Sequence, residues 1–199
     1  MNILPTPLKI VHYPHPSLRH KAVPLTAIDE NVRTAARMML DLMYESHGLG
    51  LAAPQVALPY QMFVCNYTGD PANKEAEGVY INPVILDKEG TMEGEEGCLS
   101  FPQLFQKVRR AKTVRVQAYS LEGQPLELTR SDLPARIWQH ETDHLHGVLF
   151  IDKLGPIGRL AARGALREFE YLYERAQKRG EIPPDAEIER RLTELEGMA

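Results

Sequence analysis

The residues best suited to chemistry in this chain lie between Gln139 and Gly147. Within that stretch, His140, Glu141 and His144 form the pattern His-Glu-x-x-His. Residues four positions apart share one face of an α-helix, so the two imidazoles can bind one metal ion. Glu141 follows the first histidine, where a carboxylate can take a proton from a metal-bound water molecule. The pattern predicts a metal-dependent hydrolase centre, with a surface helix that carries two histidines by chance as the alternative.

A third metal ligand must come from elsewhere, because an open catalytic site normally has three protein ligands and a position for water. The extended metalloprotease pattern would place a histidine at position 150, where this chain has Phe150. Cys98 follows Gly97 and two glutamates, and a cysteine that binds a metal needs only to ionise. We therefore predict Cys98 as the third ligand, with a purely structural cysteine as the alternative.

Length and composition predict one globular domain that binds neither nucleic acid nor membrane. The chain has 199 residues, of which 43% are hydrophobic and 25% charged, and such values exclude disorder for most of it. Its formal net charge of -4 gives no electrostatic footprint for nucleic acid or an anionic membrane surface. No segment has the apolar length to span a bilayer.

The cysteine content and the N-terminus predict a cytoplasmic location. Two cysteines are too few for a disulfide framework, which favours a reducing compartment. The N-terminus has no basic start followed by an apolar run, as a signal peptide would. An organelle protein whose transit peptide has been removed is the alternative.

Proline content and apolar spacing divide the chain into predicted elements. Residues 1–25 are rich in proline and predict an extended arm, and apolar spacing predicts a helix over residues 26–46. Short strands are predicted at 61–66, at 79–85 with a break at Asn82-Pro83, and at Thr113–Tyr119, from which a hairpin returns over 126–128.

The remaining elements surround the histidine motif. Ser131 and Asp132 are good N-cap residues for a motif helix that continues to Gly147, and a second helix is predicted over about 157–179, with Leu160 among its inward residues. Beyond Pro183-Pro184, helical spacing of apolar residues predicts a short docked helix or a frayed tail. We therefore expect one catalytic domain over residues 1–180 and a C-terminal tail over residues 181–199.

The stretch from Gly48 to Gln55 contains the pattern G-x-G-x-x-A, which is typical of dinucleotide-binding sites. That motif must follow a strand and open a helix, whereas here it follows a predicted helix, and Pro54 and Pro59 leave no room for another. A nucleotide site is therefore excluded, and we expect the glycines to let the backbone approach another group closely.

Three segments, taken in order, resemble the signature motifs of the peptide deformylases: GLGLAAPQ at 48–55, EGCLS at 96–100 and QHETDH at 139–144. The resemblance covers roughly residues 5–175. It implies an α+β fold in which small antiparallel β-sheets pack around a central metal-binding helix, with an additional N-terminal and a C-terminal helix. It also implies hydrolysis of the N-formyl group from the initiator methionine of newly synthesised polypeptides, with release of formate.

The resemblance assigns a role to each matching position. Cys98, His140 and His144 would bind one divalent metal ion, which in this family is typically Fe²⁺, although Zn²⁺ or Ni²⁺ can occupy the site. Glu141 would be general base and then general acid, while the Gln55 amide and the Leu99 backbone N–H would bind the oxyanion. The substrate-binding residues would be Leu49, Gly50, Gly97, Leu133 and Ile137.

The chain departs from the family pattern at two places. Many members carry an arginine beside the substrate backbone shortly after Pro102, where this chain has Phe105. The tail is also longer than in the shortest members. A C-terminal helix docks on the ribosome in some relatives, and the sequence leaves open both that partner and the oligomeric state, with a monomer favoured.

Two other functions compete with deformylation. A metallopeptidase of the His-Glu-x-x-His type shares the motif, but a cysteine as third ligand counts against it. A structural metal module would use four protein ligands, and only three are predicted here.

Asp143 lies between the two histidines and close to the predicted buried side of the motif helix. A buried carboxylate needs a partner, because an unpaired buried charge is very costly. We predict that Asp143 pairs with Arg110, or failing that with Arg109, and the alternative is an exposed aspartate on the helix flank.

Overall fold

The computed structural model describes residues 7–197 and residue 199, and within them it contains seven β-strands and four α-helices. The first six residues of the predicted arm lie outside this range. In chain order the elements are α1 (Glu30–Glu45), β1 (Gly50–Ala52), β2 (Met62–Asn66), β3 (Glu77–Glu89), β4 (Met92–Cys98), β5 (Phe101–Arg110), β6 (Thr113–Tyr119), β7 (Pro125–Ser131), α2 (Asp132–Leu145), α3 (Pro156–Lys178) and α4 (Asp185–Glu196). The 3₁₀ turn at Pro16–Leu18 is called the arm turn, and that at Ala53–Val56 the glutamine turn.

The strands form two antiparallel sheets, both of which contact α2. One sheet has the order β1-β2-β3-β6-β7, and the other is the β4-β5 hairpin. On the larger sheet, the ring of Trp138 lies edge-on to Phe63 with centroids 4.9 Å apart. Toward the hairpin, the Arg136 guanidinium donates to the Val108 carbonyl at 3.0 Å and the Met92 carbonyl at 3.4 Å. The predicted α+β fold around a central helix is therefore confirmed.

Helix α1 begins four residues later than predicted, at Glu30 rather than Thr26. The side chain of Asp29 accepts a hydrogen bond from the Val32 backbone N–H at 2.9 Å and caps the helix there. The buried positions of α1 include Ala35 and Met39, so the predicted apolar stripe is confirmed even though the boundary is not.

The predicted break at Asn82-Pro83 is wrong, because β3 runs through it. Asn82 adopts a positive φ of 51°, and the pairing register with β6 shifts between Ile81 and Val84. The Asn82 side chain binds the backbone of Leu25 in the arm. Its amide oxygen accepts from the Leu25 N–H at 2.9 Å, and its amide nitrogen donates to the Leu25 carbonyl at 2.8 Å. A bulge therefore absorbs the irregularity within one continuous strand.

The β4-β5 hairpin was not predicted as strands. Strand β4 has the sequence MEGEEGC, whose glutamates and glycines have low β-propensity. The hairpin forms through pairing between strands that are close in the chain, with Cys98 opposite Phe101 at the tight end.

The predicted helix near 157–179 is present as α3, but Leu160 does not face inward and is 71% exposed. The same apolar spacing predicts that either Leu172 or Tyr173 faces inward, and Tyr173 is the buried one. The C-terminal residues form α4, a docked helix whose buried face has Leu192 and Leu195.

The division into a domain over 1–180 and a tail stays a prediction. None of the helices in the described part of the chain is both long and apolar enough to cross a membrane.

A buried charge cluster joins the hairpin to α2. Arg110 at the end of β5 donates to the carboxylate of Asp143 on α2, so the predicted pair is confirmed. The same guanidinium donates to both oxygens of Glu96 on β4, at 2.6 and 3.1 Å. Arg136 donates to Glu96 as well, at 2.9 Å. Because both arginines and Glu96 are buried, each charge depends on its partners rather than on solvent.

We expect Asp143→Ala to lower the free energy of unfolding by about 2–3 kcal/mol. This loss of stability is smaller than the loss expected when a buried charge has no partner at all, because Arg110 keeps its hydrogen bonds to Glu96. Urea unfolding at matched metal content measures the change. Asp41→Ala, at an exposed position on α1, is the control and should stay within about 0.5 kcal/mol of the unsubstituted protein. Equal losses in the two variants would contradict the role of the pair.

Candidate active site

The three predicted metal ligands lie together between the end of β4 and helix α2. The ligand atoms of Cys98, His140 and His144 all lie within 4.8 Å of one another. The His144 Nε2 atom is 3.3 Å from the Cys98 Sγ and 3.2 Å from the His140 Nε2. The helix supplies the two imidazoles from adjacent turns, and the hairpin supplies the thiol.

The donor set fits a transition-metal ion. A thiolate and two imidazoles suit Fe²⁺, Zn²⁺ or Ni²⁺ and leave a position for water. The second oxygen of Glu141 is buried and has no hydrogen-bond partner among the described residues, which is where a water molecule on the metal would meet a base. Burial lowers the pKa of His144, which favours the neutral imidazole that can bind a metal ion.

Glu96 fixes the orientation of His140. Its carboxylate lies 2.6 Å from the His140 Nδ1, which leaves the Nε2 directed at the other two ligands. Burial raises the pKa of Glu96, but hydrogen bonds from His140 and Arg110 outweigh burial and hold this pKa well below its usual range. Glu96 therefore stays ionised and acts as a fixed acceptor. Glu96 was not predicted as part of the site, and the only signal in the sequence was its position two residues before Cys98.

Glu141 is held in an apolar space beside the ligands. Burial raises its pKa to about 7, although the positive charge of His140 acts in the opposite direction. A carboxyl group with such a pKa can both accept and release a proton near neutrality. A Cβ atom at Gly50 would collide with the Glu141 carboxylate, so only glycine leaves room for it there.

The side chain of Gln55 reaches the site from the glutamine turn. Its Oε1 accepts from the Ala52 N–H at 2.8 Å, which fixes the orientation of the amide. Its Nε2 then lies 3.4 Å from the Cys98 Sγ and 3.3 Å from the Ser100 Oγ. The amide therefore points an N–H donor toward the space beside Cys98, as an oxyanion site requires.

These groups line a cavity of about 670 Å³. Its wall contains ten of the eleven predicted site residues: Leu49, Gly50, Gln55, Gly97, Cys98, Leu99, Leu133, Ile137, His140 and Glu141. The eleventh, His144, lies behind the wall and is 1% exposed. The structure thus brings all the predicted residues to one place, while their individual roles stay predictions.

Twelve wall residues were not predicted to lie in the site, among them Ile10, His12, Phe105 and Arg136. Ile10 and His12 belong to the N-terminal arm, and Arg136 belongs to α2. Phe105 is 58% exposed, and its ring lies so close to Gly97 that a Cβ atom there would overlap it. Sequence spacing carries no signal for the arm residues, because their approach depends on how the arm folds back.

Comparison with known proteins agrees with this geometry. The family model described as polypeptide deformylase matches residues 7–159. A peptide deformylase of Rhodopirellula baltica is 43% identical over 195 residues, which is 96% of this chain and 95% of that protein. The chloroplastic/mitochondrial peptide deformylase 1B of Arabidopsis thaliana is 40% identical, over 97% of this chain and 70% of that protein.

Solved structures show the same fold. The crystal structure of peptide deformylase from Plasmodium falciparum superimposes with a TM-score of 0.81 at 38% identity, over 83% of this chain and 97% of that one. A plant peptide deformylase 1B gives a TM-score of 0.82 at 40% identity, over 90% of this chain and 96% of that one. The family model, the close relatives and the shared fold together show that this chain is an enzyme that belongs to the polypeptide deformylase family.

Proposed function

We propose that this chain uses a divalent metal ion, bound by Cys98, His140 and His144, to remove the N-formyl group from the initiator methionine of new polypeptides. The observation that supports this most directly is the convergence of the three ligand atoms beside the buried carboxylate of Glu141. Membership of the deformylase family supplies the reaction, and the cavity supplies the space for the end of a peptide chain.

Proton transfer in this mechanism belongs to Glu141. A divalent ion at the site would supply Lewis acidity and a water molecule of lowered pKa. With the ion bound, Glu141 would accept a proton from the water that attacks the formyl carbon and later return it to the departing amine nitrogen. Burial raises the pKa of Glu141, which favours the protonated carboxyl group that the second step needs.

Gln55 and Leu99 stabilise the oxygen of the formyl group. Attack on the carbonyl carbon places negative charge on that oxygen, and the Gln55 amide and Leu99 backbone N–H donate to it. In comparable sites one such donor contributes roughly 3–4 kcal/mol to the transition state. The Gln55 amide is oriented in advance by its bond from Ala52, so little reorganisation is needed.

The apolar wall selects the methionine side chain. Leu49, Leu133 and Ile137 line one part of the cavity, and they provide the contact surface for a flexible thioether side chain. Gly50 and Gly97 are proposed to contact the substrate through their backbones, because the space that a Cβ atom would fill is taken by Glu141 at Gly50 and by the ring of Phe105 at Gly97. A formyl carbon has only hydrogen as its substituent, so a close-fitting site excludes bulkier acyl groups.

We expect the enzyme to hydrolyse a formyl-methionyl dipeptide. It should not turn over the corresponding acetylated dipeptide or a peptide whose N-terminus is otherwise blocked. Glu141→Gln should abolish this turnover and retain the metal, because Glu141 transfers protons and is not a ligand. Formate release and metal content, measured on the same preparations, test both statements. Cleavage of the blocked peptide would favour the metallopeptidase alternative, and loss of metal from Glu141→Gln would show that its role is misassigned.

The bound metal in the cell is proposed to be Fe²⁺, with Zn²⁺ or Ni²⁺ able to occupy the same ligands. We expect protein purified without oxygen to contain iron and to be active, and protein purified in air to lose iron and activity together. Metal analysis beside activity measures this. Full activity of an air-purified sample that contains only zinc would contradict the proposal.

The proposed partners are N-formyl-methionyl nascent peptides, and the proposed location is the cytoplasm. Docking of a C-terminal helix on a ribosome, a monomeric state and the absence of direct nucleic-acid binding stay predictions from the sequence.

We expect Gln55→Ala to lower kcat by about 10²–10³-fold with little change in KM, because an oxyanion donor acts mainly in the transition state. Steady-state kinetics on a formyl-methionyl peptide measures both constants. Gln61→Ala removes an amide that donates to the Ala22 carbonyl outside the cavity wall, and it is the matched control. A change confined to KM would mean that Gln55 binds the ground state of the substrate instead.

A further inference from the structure

Helix α4 packs on the N-terminal arm through a buried apolar face. Ile188, Leu192 and Leu195 are all buried, and Leu195 belongs to the main hydrophobic cluster of the molecule. The helix lies against the arm turn. Near the C-terminal end of α4, the Tyr60 hydroxyl donates to the Leu195 carbonyl at 3.2 Å. The C-terminal helix is therefore part of the packed structure rather than an appendage.

Polar contacts hold the same helix to the chain that follows the arm turn. The His20 Nε2 lies 2.7 Å from the Glu196 carboxylate, in the last turn of α4. The Thr26 hydroxyl donates to the backbone carbonyl of Ala199 at 2.7 Å. These contacts connect the C-terminal end of the chain to residues near its beginning.

Hydrogen bonds from the arm hold the glutamine turn in place. The Ser17 hydroxyl lies 2.8 Å from the His15 Nδ1 and donates to the Pro54 carbonyl at 2.9 Å. The Val11 N–H donates to the Gln55 carbonyl at 2.9 Å. The backbone immediately before and at Gln55 is therefore fixed by the arm.

The arm also contacts the other side of the Gln55 amide. The Tyr13 N–H donates to the Ser100 carbonyl at 3.0 Å, and Ser100 receives a hydrogen bond from the Gln55 Nε2 on its hydroxyl. The segment from Val11 to Tyr13 thus joins the glutamine turn to the chain that carries Cys98. A shift of this segment would move the amide relative to Cys98.

We propose that α4 is a positioning element of the active site, which holds the arm turn against the glutamine turn and thereby fixes the Gln55 amide beside Cys98. The inference rests on the oxyanion role proposed for Gln55. It predicts an effect on kcat at a distance, because misplacement of a reacting group by about 1 Å can cost about 10²-fold in rate. A helix that only closes the hydrophobic core would change stability without changing the action of Gln55.

The test compares Leu192→Ala with Arg191→Ala in the full-length, metal-loaded protein. Leu192 is buried on the helix that lies against the arm turn, and its neighbour Arg191 is exposed on the same helix. We expect Leu192→Ala to lower kcat by about tenfold with KM within about twofold and metal content unchanged, and Arg191→Ala to match the unsubstituted protein. Circular dichroism at the assay temperature confirms that each variant is folded.

A double-mutant cycle with Gln55→Ala separates positioning from general damage. If α4 acts through Gln55, Leu192→Ala has no further effect on kcat once the amide is absent. Losses that multiply in the double variant would overturn the proposal. An unchanged kcat in Gln55→Ala alone would remove the oxyanion role itself, and with it the basis of the inference, so the two failures are distinguishable.

Hydrogen exchange gives a readout that does not depend on turnover. We expect the amides of Val11 and Tyr13 to lose protection in Leu192→Ala and to keep it in Arg191→Ala. Glu196→Ala, which removes the contact to His20 and leaves the apolar face intact, provides a second and milder variant if Leu192→Ala does not fold. Unchanged protection of both amides in the folded variants would overturn the proposal.

Discussion

The structure depends on the burial of one carboxylate, that of Glu96. An ionised group in the protein interior is very costly unless it is paired and hydrogen-bonded, and Glu96 has three cationic or hydrogen-donating partners. Arg110 comes from β5, Arg136 and His140 come from α2, and Glu96 itself comes from β4. Satisfying this single charge therefore requires the hairpin and the helix to meet in one arrangement, and that arrangement also brings Cys98 to the two histidines.

The same burial sets the electrostatics of the site. Water is largely excluded around α2, so the charged form of Glu141 is disfavoured and its pKa is raised, while the paired Glu96 stays ionised. Two glutamates near one metal site thus have different protonation behaviour because their partners differ. Glu96 is a fixed acceptor that orients His140, and Glu141 is the group proposed to exchange a proton with substrate.

Small residues and the arm complete the site around this charged centre. Gly50 leaves space for Glu141, and Gly97 lies under the exposed ring of Phe105. The arm reaches both the glutamine turn and the chain after Cys98 through backbone hydrogen bonds. The cavity is therefore built from four separate parts of the chain, at 10–12, 46–55, 95–105 and 133–141.

The sequence by itself predicted the central helix and which residues meet at the site, because helical spacing places His140 and His144 on one face whatever surrounds them. The roles of ligand and general base stay predictions. The sequence also predicted the partner of Asp143, since a buried carboxylate needs an arginine. Tertiary structure decided the rest: β4 forms although its glutamates and glycines have low β-propensity, β3 continues through Asn82-Pro83, and the arm reaches the cavity wall. These features depend on strand pairing and burial in the folded chain, which local propensity does not encode.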